Sequence, residues 1–336
     1  MQRPFRTATR EEFPTLDAGP YLAGEQGALE ELAAGIRHAL ENVGFMMLVN
    51  HGIDWRIVDD AFANAKRFHD LPLETKLALK VNEHQIGYVP MNATFNQAAE
   101  VDSTKSLKRD VSANLTFYQE RAADDPKVLS GERFRGRNQW PGEATLPGFR
   151  AAMLAYHDAM AALGYRLLPV YAVALGMPAA FFDDYFRDPT LVVRMIKYDA
   201  VGELRADQHG ASSHTDAGFI TMLPQANVAG LQIKTRDDEW LDQPVVRQSL
   251  VVNSGNMLKR WSNDRFLATP HRVTTAVEAD RYSLPFFFNP DLDDVIVPVS
   301  SCCGDGNPAK YEPIVYRDWF AWYLSKTYSH QRQAAE

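Results

Sequence analysis

Between Leu29 and Asn42 apolar residues recur at helical spacing, and the run that follows, Gly44 to Val49, is apolar throughout and ends in turn residues at Asn50 and Gly52. This pattern predicts a helix feeding a buried strand. A second helical pattern covers Trp55 to Phe68, and Leu71-Pro72-Leu73-Glu74 breaks it before another short helix. From Asn92 to Gly142 the chain is polar and charged, punctuated by Pro126, Gly131, Gly136 and Pro141, which reads as a long excursion carrying a strand or two. Phe149 to Leu175 is strongly helical, with apolar faces from Leu154, Met160, Leu163, Leu167, Leu168 and Tyr171 and a stop at Gly176 and Pro178. A kink is expected near Pro169.

After Pro189 the texture changes to short strands between turn residues: Leu191 to Tyr198, Phe219 to Leu223, Leu231 to Lys234, Leu250 to Val252, Val273 to Val277 and Tyr282 to Phe288. Many short strands separated by Gly, Asn and Asp suggest a sandwich or jelly roll. Tyr316 to Tyr328 is again helical and carries Trp319, Phe320, Trp322 and Tyr323. The expected organisation is an N-terminal α/β portion with its excursion over residues 1–140, then the scaffold helix, strand-rich core and C-terminal helix over residues 141–336, packed as one unit.

Composition narrows the function classes. With 336 residues, 46% of them apolar and 23% charged, the chain can bury a sizeable core. The formal charge of −8 is spread over interspersed acids and bases, so no positive field is available to attract a phosphate backbone, and nucleic acid is not an expected partner. The apolar runs are too short to span a bilayer, and the basic N-terminus lacks a following apolar stretch, so neither membrane nor export is expected. Cys302 and Cys303 are adjacent and suit neither an unstrained disulfide nor a zinc site. A cytoplasmic enzyme acting on a small molecule is the resulting expectation.

The candidate chemistry starts at His214-Thr215-Asp216, which on extended backbone points an imidazole and a carboxylate to one face. His271, following Pro270 in the same strand-rich region, is the candidate third ligand. Two imidazoles and one carboxylate form the facial triad of non-haem iron(II) oxygenases, which leaves adjacent coordination positions open. Ten residues beyond His271, Arg281-Tyr282-Ser283 again places two side chains on one strand face. A guanidinium and a hydroxyl aimed inward suit a buried carboxylate. Iron(II) at +2, Asp216 at −1 and Arg281 at +1 leave +2 in an apolar site. A dianionic 2-oxo acid would cancel it, chelating the metal at one end, meeting Arg281 and Ser283 at the other, and leaving a position for dioxygen (O2).

The chain resembles the isopenicillin N synthase-like family of iron(II)/2-oxoglutarate-dependent dioxygenases along nearly its whole length. Asn42-Val-Gly-Phe45, Asn50-His-Gly-Ile53, Phe68-His-Asp-Leu-Pro72, Gly87-Tyr-Val-Pro90 and Asn138-Gln-Trp-Pro141 carry the likeness in the first half. His214-Thr-Asp-Ala-Gly-Phe-Ile-Thr221, Gly230-Leu-Gln232, Val251-Val-Asn-Ser-Gly255, Pro270-His-Arg-Val273 and Arg281-Tyr-Ser-Leu-Pro-Phe286 carry it in the second. The resemblance implies a mainly β protein with flanking helices, in which a double-stranded β-helix (jelly roll) core has an N-terminal α/β portion packed on it. It further implies Fe(II) held by His214, Asp216 and His271, 2-oxoglutarate bound by Arg281, Ser283 and Tyr198, and Asn253 and Gln232 lining or bracing the site.

The pattern departs from the family at Asn256 for aspartate, at Asp264 for a turn glycine, and at Lys108-Arg109-Asp110 where a Lys-Glu pair is frequent. His51 is expected to cap a turn, and the spacing of His209 from His214 disfavours it as a ligand. Phe286, Phe288, Met195, Lys197 and the segment Met91 to Phe95 are the candidate substrate pocket. The proposed reaction oxidises an unactivated C–H bond with release of succinate and carbon dioxide, and it needs no general base from the protein. Three alternatives compete with this reading. They are an iron oxidase that does not use 2-oxoglutarate, a jelly-roll binding protein without catalysis, and a zinc hydrolase on the same ligands.

Overall fold

Residues 6–91, 110–200, 209–225, 228–274 and 279–327 are described by the structure, a computed structural model. Its first part places β1 (Thr15–Asp17), α1 (Gly19–Leu22), α2 (Ala28–Asn42), β2 (Phe45–Val49), α3 (Trp55–His69), α4 (Leu73–Leu77), β3 (Gly87–Val89), β4 (Ser112–Tyr118), α5 (Pro126–Leu129) and α6 (Phe149–Ala174). The strand-rich part follows as β5 (Pro189–Tyr198), β6 (His209–His214), β7 (Ile220–Pro224), β8 (Leu231–Lys234), β9 (Trp240–Asp242), β10 (Leu250–Ser254) and α7 (Asn256–Trp261). β11 (His271–Thr274), β12 (Arg281–Ser283), β13 (Phe286–Asp291), β14 (Val295–Ile296), β15 (Ile314–Val315) and α8 (Tyr316–Thr327) complete the chain.

Nine strands form the major sheet, in the order β1-β2-β10-β7-β13-β5-β4-β3 with β12 also paired to β5. The minor sheet is β6-β11-β8-β9. Facing each other, the two sheets make the jelly roll. The N-terminal portion supplies β1 to β4 to the major sheet, so it is hydrogen-bonded into the same layer as the core. The outer face of that sheet is covered by α6, which also carries α2 and α3. Gly164 lets α6 sit this close, because a Cβ there would lie 2.5 Å from the Phe288 ring. The helix runs through Pro169 without interruption.

One strand expectation needs correction. Tyr282 to Phe288 is not one strand: Leu284 and Pro285 separate β12 from β13, since Pro285 has no N–H for the ladder. The register against β5 nevertheless continues, from Arg281↔Tyr198 and Ser283↔Ile196 to Phe286↔Val193. Side-chain alternation therefore carries across the break. Of the excursion, residues 92–109 lie outside the described ones. Its remainder holds the expected strand, β4, which lies inside the sheet between β3 and β5 and is buried at all seven positions. Its polar residues Ser112, Asn114 and Thr116 alternate with apolar ones and so imitate a solvent-facing strand, yet that face looks into an internal cavity. The expected end of the Val273 to Val277 strand and residue Tyr328 also lie outside the described residues.

Candidate active site

Antiparallel pairing of β6 with β11 sets His271 directly opposite His214, and the imidazole centroids lie 4.3 Å apart. Asp216 stands just beyond the end of β6, and its Oδ1 is 3.9 Å from His214 Nε2 and 3.7 Å from His271 Nε2. The three ligand atoms lie within 4.8 Å of one another. Each remaining polar atom is spoken for. His214 Nδ1 meets the Ser212 carbonyl at 2.7 Å, and His271 Nδ1 meets the Thr269 carbonyl at 3.2 Å. Because a carbonyl only accepts, each Nδ1 carries the proton and each Nε2 lone pair faces the centre. Asp216 Oδ2 accepts from Thr221 Oγ1 at 2.5 Å and from Asn253 Nδ2 at 2.7 Å, which leaves Oδ1 to the cluster.

The electrostatics agree with a cation site. Burial would raise the Asp216 carboxyl, but the two imidazoles and the donors Thr221 and Asn253 outweigh it and hold the group below its usual range. Burial, with His271 beside it, pushes His214 down to about 4, so at neutral pH the ring is an uncharged donor. Two imidazoles and one carboxylate suit iron(II), with non-protein positions left over.

Arg281 and Ser283 are both 4% exposed and line the same cavity. Arg281 Nε donates to the Val228 carbonyl at 3.2 Å, and its guanidinium carbon lies 5.2 Å from the Tyr198 ring centroid. Its Nη1 is buried with no hydrogen-bond partner among the described residues. Burial lowers the pKa of this arginine, a cost a folded protein rarely bears without a partner. An anionic oxygen would meet that need, so the residues present fit 2-oxoglutarate as well as iron(II).

Around these residues is a cavity of about 170 Å³ between the sheets. The structure does not bring the four expected substrate residues to it. Phe286 and Phe288 point outward, with Phe286 against His157 and Phe288 against Tyr165 and Phe186. Met195 is wholly buried on the outer face, and Lys197 there pairs with Asp199 and Asp280, each at 2.9 Å. The reason is parity. On β5 the cavity side holds Val192, Arg194, Ile196 and Tyr198, and along β12, the break after it and β13 it holds Arg281, Ser283, Pro285, Phe287 and Asn289. Sequence reading missed Arg194, Phe287 and Asn114, and it named Asp110 only as part of a departure in the excursion expected to shape the pocket. Strict alternation outward from Tyr198 and Ser283 was the signal for the first two. Of the other pocket segment, Met91 to Phe95, residues 92–95 lie outside the described ones, as do Lys108 and Arg109.

Asp110 borders the same cavity, with Oδ1 accepting from Ser212 N at 2.8 Å and Ser212 Oγ at 2.6 Å, while burial raises its pKa. Helix α8 closes another side with Phe320, Tyr323 and Leu324, and it grips the segment bearing Asp216. Tyr323 Oη donates to the Thr215 carbonyl and Trp319 Nε1 to the Ala217 carbonyl. Asn256 donates to Thr215 Oγ1 at 2.8 Å, so its departure from aspartate changes a bond to the ligand segment rather than a ligand. Gln232 instead links Asp242 and Arg272 away from the cavity. His51 Nδ1 accepts from Ile53 N, the expected turn cap, and His209 opens β6 outside the cluster.

Comparison with known proteins follows the same outline. Residues 13–143 match the model described as non-haem dioxygenase in morphine synthesis N-terminal, and residues 188–290 match that of the 2OG-Fe(II) oxygenase superfamily. The 2-oxoglutarate-Fe(II) type oxidoreductase hxnY of Emericella nidulans is 32% identical, covering 96% of this chain and 93% of its own length. The 2-oxoglutarate-dependent dioxygenase citB of Monascus ruber is also 32% identical, over 88% of this chain and 90% of its own. Among solved structures, Neurospora crassa T7H in complex with alpha-KG superposes with a TM-score of 0.81 at 27% identity, covering 93% of this chain and 96% of T7H.

Proposed function

The chain belongs to the 2OG-Fe(II) oxygenase superfamily, and from that premise we propose that His214, Asp216 and His271 hold its iron(II) while Arg281 and Ser283, beside Tyr198, anchor its 2-oxoglutarate. The protein is an iron(II)- and 2-oxoglutarate-dependent oxygenase. The hxnY, citB and T7H proteins, each matched over most of this chain, are of this kind, which argues against the binding-protein reading and the iron oxidase that dispenses with 2-oxoglutarate. Bound in this cavity, iron(II), 2-oxoglutarate and dioxygen supply the means to oxidise a C–H bond, with succinate and carbon dioxide as the cosubstrate's products.

The chain's own residues orient and shield. Thr221 and Asn253 fix Asp216 so that one oxygen faces the two imidazoles, and the Ser212 and Thr269 carbonyls fix both ring tautomers. Walls from both sheets and α8 surround the reacting bond and limit the water that would reach it. No general base is required, and none is assigned. The substrate is a small organic molecule: the cavity between the sheets supports this, as does T7H, which has also been solved in complex with thymine. The overall negative charge supports the further reading that nucleic acid is not a partner. Among the described residues no helix is long and apolar enough to cross a membrane. The two free cysteines support a reducing, cytoplasmic setting.

The observation that carries the assignment is the buried Arg281 Nη1 without a partner in the same cavity as the converging triad. Anaerobic titration of the iron(II)-loaded protein with 2-oxoglutarate tests it. A weak visible charge-transfer band is expected, with the affinity lost in Arg281→Ala. Iron binding without such a band, or an unchanged affinity in the variant, would overturn it.

A further inference from the structure

The cavity wall made by β4 and β5 carries polar chemistry that neither the triad nor the cosubstrate anchor uses. Asp110, Ser112, Asn114, Thr116 and Tyr118 share one face of the first strand and its approach, and Arg194 shares the corresponding face of the second. Across the ladder Arg194 pairs with Thr116, so Asn114 is its diagonal neighbour, within reach of a long side chain.

Asn114 is 1% exposed. Its Oδ1 accepts from Thr116 Oγ1 at 3.0 Å, but its Nδ2 has no hydrogen-bond partner among the described residues. Buried amide donors are rarely left unsatisfied, so a ligand oxygen at this wall would remove a standing cost. The Arg194 guanidinium brings positive charge to the same face. Asp110 presents the opposite character: Ser212 occupies Oδ1 twice, and no described donor reaches Oδ2.

The charges on this wall, Arg194 and Asp110, cancel. A carboxylate would satisfy the donors but would bring a second anion toward Asp110 in a poorly solvated space. A neutral carbonyl flanked by an N–H suits this wall: oxygen toward the Asn114 Nδ2 donor beside Arg194, hydrogen toward Asp110. The rest of the lining, Val192, Ile196, Phe287 and Phe320, suits a compact apolar or flat body. From this arrangement we infer that the substrate is a small neutral molecule bearing an amide-type pair, a lactam or cyclic imide, read by Asn114, Arg194 and Asp110. The inference rests on the proposed function, since it places the substrate in the cavity that holds the triad.

The experiment uses the full chain, loaded anaerobically with iron(II) and 2-oxoglutarate. The charge-transfer band is recorded first, so that failure of the cosubstrate assignment shows before any probe is added. Glutarimide, 2-piperidone and uracil are then compared with benzoate and cyclohexanecarboxylate, by perturbation of the band and by calorimetry. At least one imide or lactam is expected to bind about tenfold more tightly than either carboxylate. Asn114→Asp, nearly isosteric but lacking the donor, is expected to lose about tenfold of that affinity while the 2-oxoglutarate titration stays unchanged, which reports an intact fold. Asp110→Asn is expected to raise the affinity for the carboxylates. Carboxylates binding as tightly as every imide and lactam, no imide or lactam binding, or an imide affinity indifferent to both substitutions would overturn the inference.

Discussion

Asn253 donates its Nδ2 hydrogen to Asp216 Oδ2 at 2.7 Å, and this bond, together with the one from Thr221, turns the other carboxylate oxygen toward the two imidazoles. β10 and β7 bring the two donors side by side, with Asn253 opposite Thr221 in the ladder. Asn253→Ala should therefore weaken iron(II) binding by about 10–100-fold, the usual effect of losing a hydrogen bond behind a metal ligand. Competition against a coloured chelator reads the affinity. Unchanged binding would mean that Asp216 needs no such support.

Arg281 is a buried cation whose Nη1 lacks a partner among the described residues. Replacing it with methionine removes the charge and keeps much of the volume, so the metal-free and cosubstrate-free protein should be as stable as the parent or more so. Saturating 2-oxoglutarate should raise the melting temperature of the iron(II)-loaded parent but not of Arg281→Met. Thermal unfolding of both proteins, with and without the cosubstrate, decides it. Equal stabilisation of the two would remove Arg281 from the anchor.

Neighbouring phenylalanines should respond in opposite ways. Phe288 is fully buried against α6, so Phe288→Ala should destabilise the fold by about 3–5 kcal/mol in urea unfolding. Phe287 faces the cavity, so Phe287→Ala should cost much less stability and instead change which substrates are turned over. The reverse ranking would contradict the strand register.

His69 is 4% exposed and held at about 4 by burial, with Met195 carbonyl as its partner at 3.2 Å. In the unfolded chain the same ring titrates near 6.5. Between these values the unfolded chain binds a proton that the folded one does not. Stability of the metal-free protein therefore falls as the pH drops from 6.5 toward 4, by about 1.4 kcal/mol per pH unit for each such histidine. His69→Gln should flatten the slope by about that amount in unfolding measured at pH 6.5, 5.5 and 4.5. An unaltered slope would locate the effect elsewhere.

Much of this molecule is local in origin. The helices α2, α3 and α6 and the strands β2, β5 and β8 follow from spacing of apolar residues, because a period of 3.6 or 2 is a property of the backbone itself. The same locality pairs Arg281 with Ser283 on one face, and extended consistently it would have placed Arg194 and Phe287 inside and Met195, Lys197, Phe286 and Phe288 outside. β6 was less legible, since His-Gly-Ala-Ser-Ser-His has little strand preference and forms one by pairing with β11.

By itself the sequence determined which residue types could bind a metal and a carboxylate, and which neighbours along a strand share a face. Tertiary structure alone decided that His271, 55 residues beyond Asp216, lies opposite His214. It also decided that Asn253 reaches Asp216, and that the polar face of β4 looks into a cavity rather than into water. The physical reason is that facing within a strand is set by covalent geometry, whereas which strands become neighbours is set by the burial and pairing of the whole chain. A row of Ser, Asn and Thr reads the same in either setting until the opposing sheet is in place.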